Sequence, residues 1–275
     1  MSITYSHHTI LITGGSSGIG AAFARALAAR GANLVLVARR IDRLEVLAAE
    51  LRTLGVTVTP IAQDLSSPTA GADLVRAIGD LEITGVVNNA GFGTFGPFAD
   101  DNVDHLMTEI AVDVAAPVLL TSAFLPAMLA AGRGFIINVA SMSAYAPTPR
   151  MAVYGASKAF VLSFTESLWA ELRGTGVVAF ALSPGATSTE FNAVVGTDDA
   201  TAGARMRSAE DVVATALAHL EKRDPGPSVI DGAGNRIGAA LTRVPGRRQT
   251  VTMMLRMTDP ARRQTATRTP ASTSS

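Results

Sequence analysis

Along the chain, short runs of apolar, β-favouring residues alternate with longer stretches in which apolar positions recur every three or four residues. The runs are TILIT (9–13), NLVLVA (33–38), VTVTPIA (56–62), ITGVVN (83–88), GFIINVA (134–140), VVAFALS (177–183) and PSVI (227–230). Most are apolar throughout, the pattern of strands covered on both faces. Between them, IGAAFARALAARG, RLEVLAAELRTLG, the long VDHLMTEIAVDVAAPVLLTSAFLPAMLAAG, AVYGASKAFVLSFTESLWAELRG and SAEDVVATALAHLEKRD read as helices, several closed by glycine. This alternation, with right-handed crossovers, predicts an α/β fold: one doubly wound parallel sheet of seven strands, flanked by helices on both faces.

Composition adds limits. A chain of 275 residues that is 48% hydrophobic can build one large core. The balance of 23 basic against 23 acidic residues hides an asymmetry, because Arg236 to Arg268 holds eight arginines and one acid, Asp259. We read 1–232 as the main domain, 233–261 as a basic amphipathic extension with Ile237, Leu241 and Val244 at helical spacing, and 262–275 as a disordered tail. A basic amphipathic segment can lie on an anionic membrane surface. Packing against the domain or a second subunit is the favoured reading, and no nucleic-acid partner is expected. There is no cysteine, hence no thiol nucleophile and no zinc–cysteine site, and the four histidines have no ligand spacing, so no metal is expected. The start lacks a charged region followed by a long apolar run, and no eighteen residues are apolar without interruption, which predicts a cytoplasmic protein.

ILITGGSSGIG leaves the first strand, passes Gly14, Gly15, Gly18 and Gly20, and opens directly into a helix. Glycines there allow a tight turn and let the backbone approach a pyrophosphate, whose charge then sits at a helix N-terminus. The second strand ends in Ala38, Arg39 and Arg40, where an NAD site usually carries an acid for the ribose hydroxyls. A guanidinium instead pairs with a 2′-phosphate, and Ser16 or Ser17 can donate a further hydrogen bond, so NADP(H) is the expected cofactor.

YGASK places Tyr154 and Lys158 four residues apart, on one face of a helix. With TGGSSGIG (13–20), QDL (63–65), NNAG (88–91), Ser141 thirteen residues before Tyr154, and SPGATSTEF (183–191), the chain resembles the short-chain dehydrogenase/reductase family over about residues 8 to 232. The resemblance implies a Rossmann-type fold and a cofactor site of Gly14, Ser16, Ser17, Gly18, Ile19, Gly20, Arg39, Arg40, Asp64, Leu65, Asn89, Ala90, Gly91, Tyr154, Lys158, Pro184, Gly185, Thr187 and Thr189. It implies catalysis by Ser141, Tyr154 and Lys158, in which Tyr154 passes a proton, Ser141 holds the developing oxyanion and Lys158 binds the nicotinamide ribose. A free tyrosine titrates near 10, and a nearby ammonium together with the nicotinamide's positive charge is expected to lower that value.

One position departs from the family's pattern. Asp113, in IAVDVAAP (110–117), stands where the family usually has an asparagine that supports a water linked to the lysine. As part of that relay its charge would hold Lys158 as a cation and oppose the tyrosinate; as a helix-surface aspartate it would do neither. By the same resemblance, Phe92, Phe95, Met142, Ser143, Tyr145 and Phe191 line the substrate cleft, with 187–207 as a lid. Their mostly apolar character predicts a hydrophobic ketone, secondary alcohol or 3-oxoacyl chain. The resemblance places a dimer surface on helices 101–131 and 151–173, giving a homodimer or homotetramer. The alternative class is an NADP(H)-binding sensor or scaffold that keeps the fold without turnover.

Overall fold

The computed structural model describes residues 4–191, 195, 206–242 and 244–259. Seven strands, β1 (Thr9–Thr13), β2 (Asn33–Ala38), β3 (Val58–Ala62), β4 (Gly85–Asn88), β5 (Gly134–Val139), β6 (Val177–Ser183) and β7 (Ser228–Ile230), form one parallel sheet in the order β3-β2-β1-β4-β5-β6-β7. The uniform apolar runs are explained by two cores. Ile10 and Ile12 of β1, with Leu34 and Leu36 of β2, enter the core beneath α1 (Gly18–Ala28) and α2 (Ile41–Arg52), while Leu11, Val35 and Val37 enter the opposite core. Successive side chains of a strand point to opposite faces, so a strand buried on both sides must be apolar at every position. At about 25 cal/mol per Å² of apolar surface removed from water, these two layers are the main source of stability.

On the second face lie α3 (Ala70–Ile78), α4 (Val103–Ile110) and α5 (Ala116–Ala131). The sequence reading did not identify α3. It is nine residues long with glycine inside it, yet Ala70, Leu74 and Ile78 recur every fourth residue and are buried. Gly71 lets it approach α5, since a Cβ there would sit 3.3 Å from Leu119.

Between α4 and α5 the helix widens into a π-turn, Ala111–Ala115. Pro117 has no N–H to return to the carbonyl of Asp113, and its ring crowds that carbonyl, which accounts for the wider turn. By length and composition Val103–Ala131 could cross a membrane. Here Leu120, Phe124 and Met128 are buried in the second core, and Glu109 and Asp113 are buried carboxylates.

The helix after β5, α6 (Ala152–Glu171), is tied to the sheet by a polar ladder. Asn88 Nδ2 donates to Asn138 Oδ1 (2.8 Å), Asn138 Nδ2 donates to Thr165 Oγ1 (2.8 Å), and Thr165 Oγ1 donates to the Val161 carbonyl (2.6 Å). Then α7 (Ala209–Leu220) packs on α1.

The basic extension holds two short helices, α8 (Ala233–Leu241) and α9 (Arg247–Thr258). Ile237, Leu241 and Val244, in the segment expected to pack against the domain or a second subunit, are 60% or more exposed in this chain, so they do not pack on the domain itself. The inward contacts of α8 come instead from Asn235, whose amide donates to the Asp231 carbonyl (2.7 Å), and from buried Ala239. Just beyond α8, Thr242 Oγ1 reaches the Tyr145 carbonyl at 3.4 Å. The expected tail, 262–275, lies outside the described residues.

Candidate active site

The strand order reverses between β1 and β4, and their carboxyl ends form the crevice where ligands of such sheets bind. Thr13 stitches the two sides together. Its Oγ1 accepts from the amides of Asn89 and Ala90 (both 3.0 Å), and Asn89 Nδ2 donates to the Thr13 carbonyl (2.9 Å). The adjacent glycines leave a cradle that side chains would fill: a Cβ on Gly14 (φ +65°) would meet Asn89 Nδ2 at 2.7 Å, and one on Gly20 would meet the Gly14 carbonyl at 2.3 Å. The amino end of α1 begins at Gly18 (φ +54°), beside Thr189. This cradle at a helix N-terminus fits a pyrophosphate.

At the outer side of the crevice, Arg40 turns to the glycine loop. Its Nη2 lies 3.3 Å from both Ser16 Oγ and Ser17 Oγ and 2.8 Å from Glu190 Oε2. Arg43, one turn further along α2, reaches Glu190 Oε1 at 2.5 Å. Sequence reasoning missed Arg43 and Glu190. The i,i+3 spacing of Arg40 and Arg43 was the available signal. Arg39 is exposed and acts on Asp64 only through its charge. Asp64 accepts from the Ser66 amide (3.0 Å) and hydroxyl (2.9 Å), and these bonds hold it below the usual carboxylate range. The Leu65 side chain is buried in the second core, and Ile19 packs against the first.

Tyr154 and Lys158, on the first turns of α6, are both buried. Lys158 Nζ lies 3.1 Å from Asp113 Oδ2, donates to the Val139 carbonyl (3.2 Å), and sits 5.6 Å from the centre of the Tyr154 ring. The surface reading of Asp113 is therefore wrong: its side chain is fully buried, and Oδ1 accepts from the Phe92 amide at 3.1 Å. The π-turn carries this carboxylate inward to Lys158. Gly91 makes the approach possible, because a Cβ there would lie 2.8 Å from Asp113 Oδ1 and 3.0 Å from Lys158 Nζ.

Burial pushes the Tyr154 hydroxyl above its ordinary value; Lys158 and a hydrogen bond with Ser141 pull it down, and Asp113 and Glu109 push it up. Within the chain alone desolvation outweighs the pull of Lys158, and Asp113 opposes that pull; the nicotinamide's charge, the other part of the expected lowering, comes only with the cofactor. Burial likewise raises Asp113 against the pull of Lys158. Lys158 is raised overall, because Asp113 and Tyr154 together outweigh its loss of hydration.

Glu109, one turn before Asp113, is a second buried carboxyl that sequence reading passed over. Thr94 Oγ1 donates to its Oε2 (2.9 Å), Oε1 has no hydrogen-bond partner among the described residues, and burial pushes it up to about 7.

Ser141 caps the short helical turn Met142–Ala144, its Oγ accepting from the Ser143 amide at 3.1 Å, and the Met142 amide donates to the Pro184 carbonyl (2.9 Å). The loop after β4 crosses Tyr154: a Cβ on Gly93 would lie 2.9 Å from the Tyr154 ring and 3.2 Å from Phe191. The Phe191 and Tyr154 rings are 5.3 Å apart. Phe92 meets His105 edge-on at 5.1 Å, and Phe95 lies under the Arg150 guanidinium at 5.4 Å. Tyr145 Oη is 3.3 Å from Ser183 Oγ. Gly185 abuts Asn235, Thr187 Oγ1 donates to the Gly185 carbonyl (3.0 Å), and Thr189 Oγ1 accepts from the Phe191 amide (3.2 Å). Of the expected lid, 192–194 and 196–205 lie outside the described residues.

A phosphate cradle at the switch point of a doubly wound sheet, facing a buried Tyr–Lys pair, defines the class of nicotinamide-dependent oxidoreductases. The family described as short chain dehydrogenase matches residues 8–200, and the chain belongs to it. A short chain dehydrogenase of Pseudocercospora fijiensis is 41% identical over 191 residues, which are 67% of this chain and 61% of that protein's own length. A sulfoacetaldehyde reductase of Chromohalobacter salexigens is 39% identical over 214 residues, 74% of this chain and 84% of the relative. Among solved structures, a short-chain dehydrogenase from Sphingobium yanoikuyae in complex with NADPH superposes with a TM-score of 0.78 at 35% identity, covering 90% of this chain and 95% of that one.

Proposed function

We propose that this chain is an NADP(H)-dependent oxidoreductase interconverting a carbonyl and a secondary alcohol on a largely apolar substrate. The observation that carries the reading is the buried Tyr154–Lys158–Asp113 group, set under the loop that follows β4 and opposite the glycine cradle. Bound reduced cofactor supplies the hydride to the carbonyl carbon. Gly14, Gly18 and Gly20 hold the pyrophosphate, Arg40 with Ser16 and Ser17 takes the 2′-phosphate, and Asn89, Ala90, Thr187 and Thr189 border the nicotinamide end. The NADPH complex of the Sphingobium relative supports that choice of cofactor.

Tyr154 gives its hydroxyl proton to the substrate oxygen as negative charge develops there, and Ser141 donates a hydrogen bond to the same oxygen. A tyrosine held above its ordinary value is protonated at neutral pH, which suits this reducing direction. Lys158, kept cationic by Asp113, stabilises the phenolate left behind until it is reprotonated. Phe92, Phe95, Met142, Tyr145 and Phe191 supply the apolar wall. Val103 and Met107 of α4 and Phe160 of α6 are large exposed apolar side chains, which supports a homo-oligomer built on these helices.

The test is Tyr154→Phe with NADPH and a panel of apolar ketones, aldehydes and 3-oxoacyl thioesters. Turnover should fall by about 10²–10⁴-fold while NADPH affinity is retained. Tight NADPH binding with no consumption by the wild type on any substrate would favour the sensor reading.

A further inference from the structure

The two arginines beside the glycine loop already hold an anion that belongs to the chain. Glu190 offers one carboxylate oxygen to each, Oε2 to Arg40 Nη2 at 2.8 Å and Oε1 to Arg43 Nη1 at 2.5 Å. The same Arg40 nitrogen lies 3.3 Å from Ser16 Oγ and Ser17 Oγ, so the carboxylate is held by two guanidinium groups, one of which also reaches the serines of the glycine loop. The two guanidinium groups hold the Glu190 carboxyl down at about 2, so it is anionic throughout the working range. Glu190 follows Thr189, whose methyl packs on Gly18, and this fixes the carboxylate next to the loop.

We infer that Glu190 is a cofactor-specificity residue: an internal counter-anion that occupies the arginine pair and must leave it when a 2′-phosphate binds. The inference rests on the NADP(H) reading above. A 2′-phosphate carries between one and two negative charges and seeks the same forked guanidinium geometry as a carboxylate. The two anions cannot share the pair without like-charge repulsion, so one displaces the other. A 2′-hydroxyl makes no such demand, and NAD(H) binds with Glu190 in place. Glu190 therefore weakens NADP(H) selectively and narrows the gap between the two cofactors. Each exposed ion pair is modest, so removing both gives about a three- to tenfold effect on affinity.

The experiment measures dissociation constants of NADPH, NADH, adenosine 2′,5′-bisphosphate and AMP for the full chain, for Glu190→Gln, and for Arg40→Ala and Arg43→Ala. Glu190 is exposed, and its replacement leaves the core untouched. The expected result is that Glu190→Gln binds NADPH and the bisphosphate about three- to tenfold more tightly, with NADH and AMP within about twofold of wild type. Unchanged or weaker NADPH binding by Glu190→Gln, while the arginine variants lose NADPH affinity, overturns the inference and leaves the NADP(H) reading standing. Equal tightening of all four ligands overturns it as well, since that is a general charge effect. If the arginine variants bind NADPH as the wild type does, the NADP(H) reading fails and the inference falls with it.

Discussion

Lys158 Nζ lies 3.1 Å from Asp113 Oδ2 with both side chains sealed from solvent, so the positive charge beside Tyr154 already has a partner within the chain. Asp113→Asn keeps the shape and removes the anion. The Tyr154 hydroxyl then titrates lower, because one of the groups that pushes it up is gone. The limb of the kcat/KM profile for alcohol oxidation, which needs the phenolate, should move to lower pH. A limb that stays in place would show that Asp113 does not act on Tyr154. Asp113→Leu, in contrast, strands a buried ammonium and should cost about 3–5 kcal/mol in denaturant unfolding.

Glu109 makes stability fall with rising pH. Its carboxyl titrates at about 7 in the folded chain, against 4.5 ordinarily. Between those values the folded state keeps a proton that the unfolded state has released, so stability declines through the window and the loss is complete above about pH 7. The size is on the order of 3 kcal/mol. Glu109→Gln should match the wild-type Tm near pH 4 and exceed it at pH 8; equal pH dependence in the two proteins would refute the assignment.

Gly20 has no room for a methyl group, since the Cβ would stand 2.3 Å from the backbone oxygen of Gly14. Gly20→Ala should destabilise the fold by about 1–3 kcal/mol and weaken NADPH more than tenfold, because the loop must shift away from its cradle geometry. Isothermal titration beside a thermal melt separates the two effects.

Asn138 both accepts from Asn88 and donates to Thr165 in the interior. Asn138→Leu leaves Asn88 Nδ2 and Thr165 Oγ1 without that partner, at about 1–3 kcal/mol for each group left unpaired. A double variant with Thr165→Val should cost less than the sum of the single changes, and strict additivity would argue against a ladder.

The strands were the most legible part of the chain. TILIT, NLVLVA and VVAFALS coincide with β1, β2 and β6 because burial on both faces leaves a composition that helices of this protein do not share. Helix α3 escaped because nine residues give little periodicity and Gly71, needed for contact with Leu119, reads as a breaker. Tyr154, Lys158 and Ser141 were legible as a motif. Glu109 was not, because a lone glutamate in an apolar helix reads as solvated until the loop carrying Thr94 is seen to cover it. Arg40 and Glu190 are 150 positions apart in sequence, and no local pattern announces such a pair.

The last helices bear on how such a protein can change. Thr242 reaches back 97 positions to the Tyr145 carbonyl, and Asn235 fills the space that Gly185 leaves open. Helix α8 and the residue after it are thereby tied to the segments that precede and follow the Tyr–Lys helix. Substitutions there can shift the backbone at Tyr145 and Gly185 while Tyr154 and Lys158 keep their own partners, so the two stretches of sequence are free to change separately.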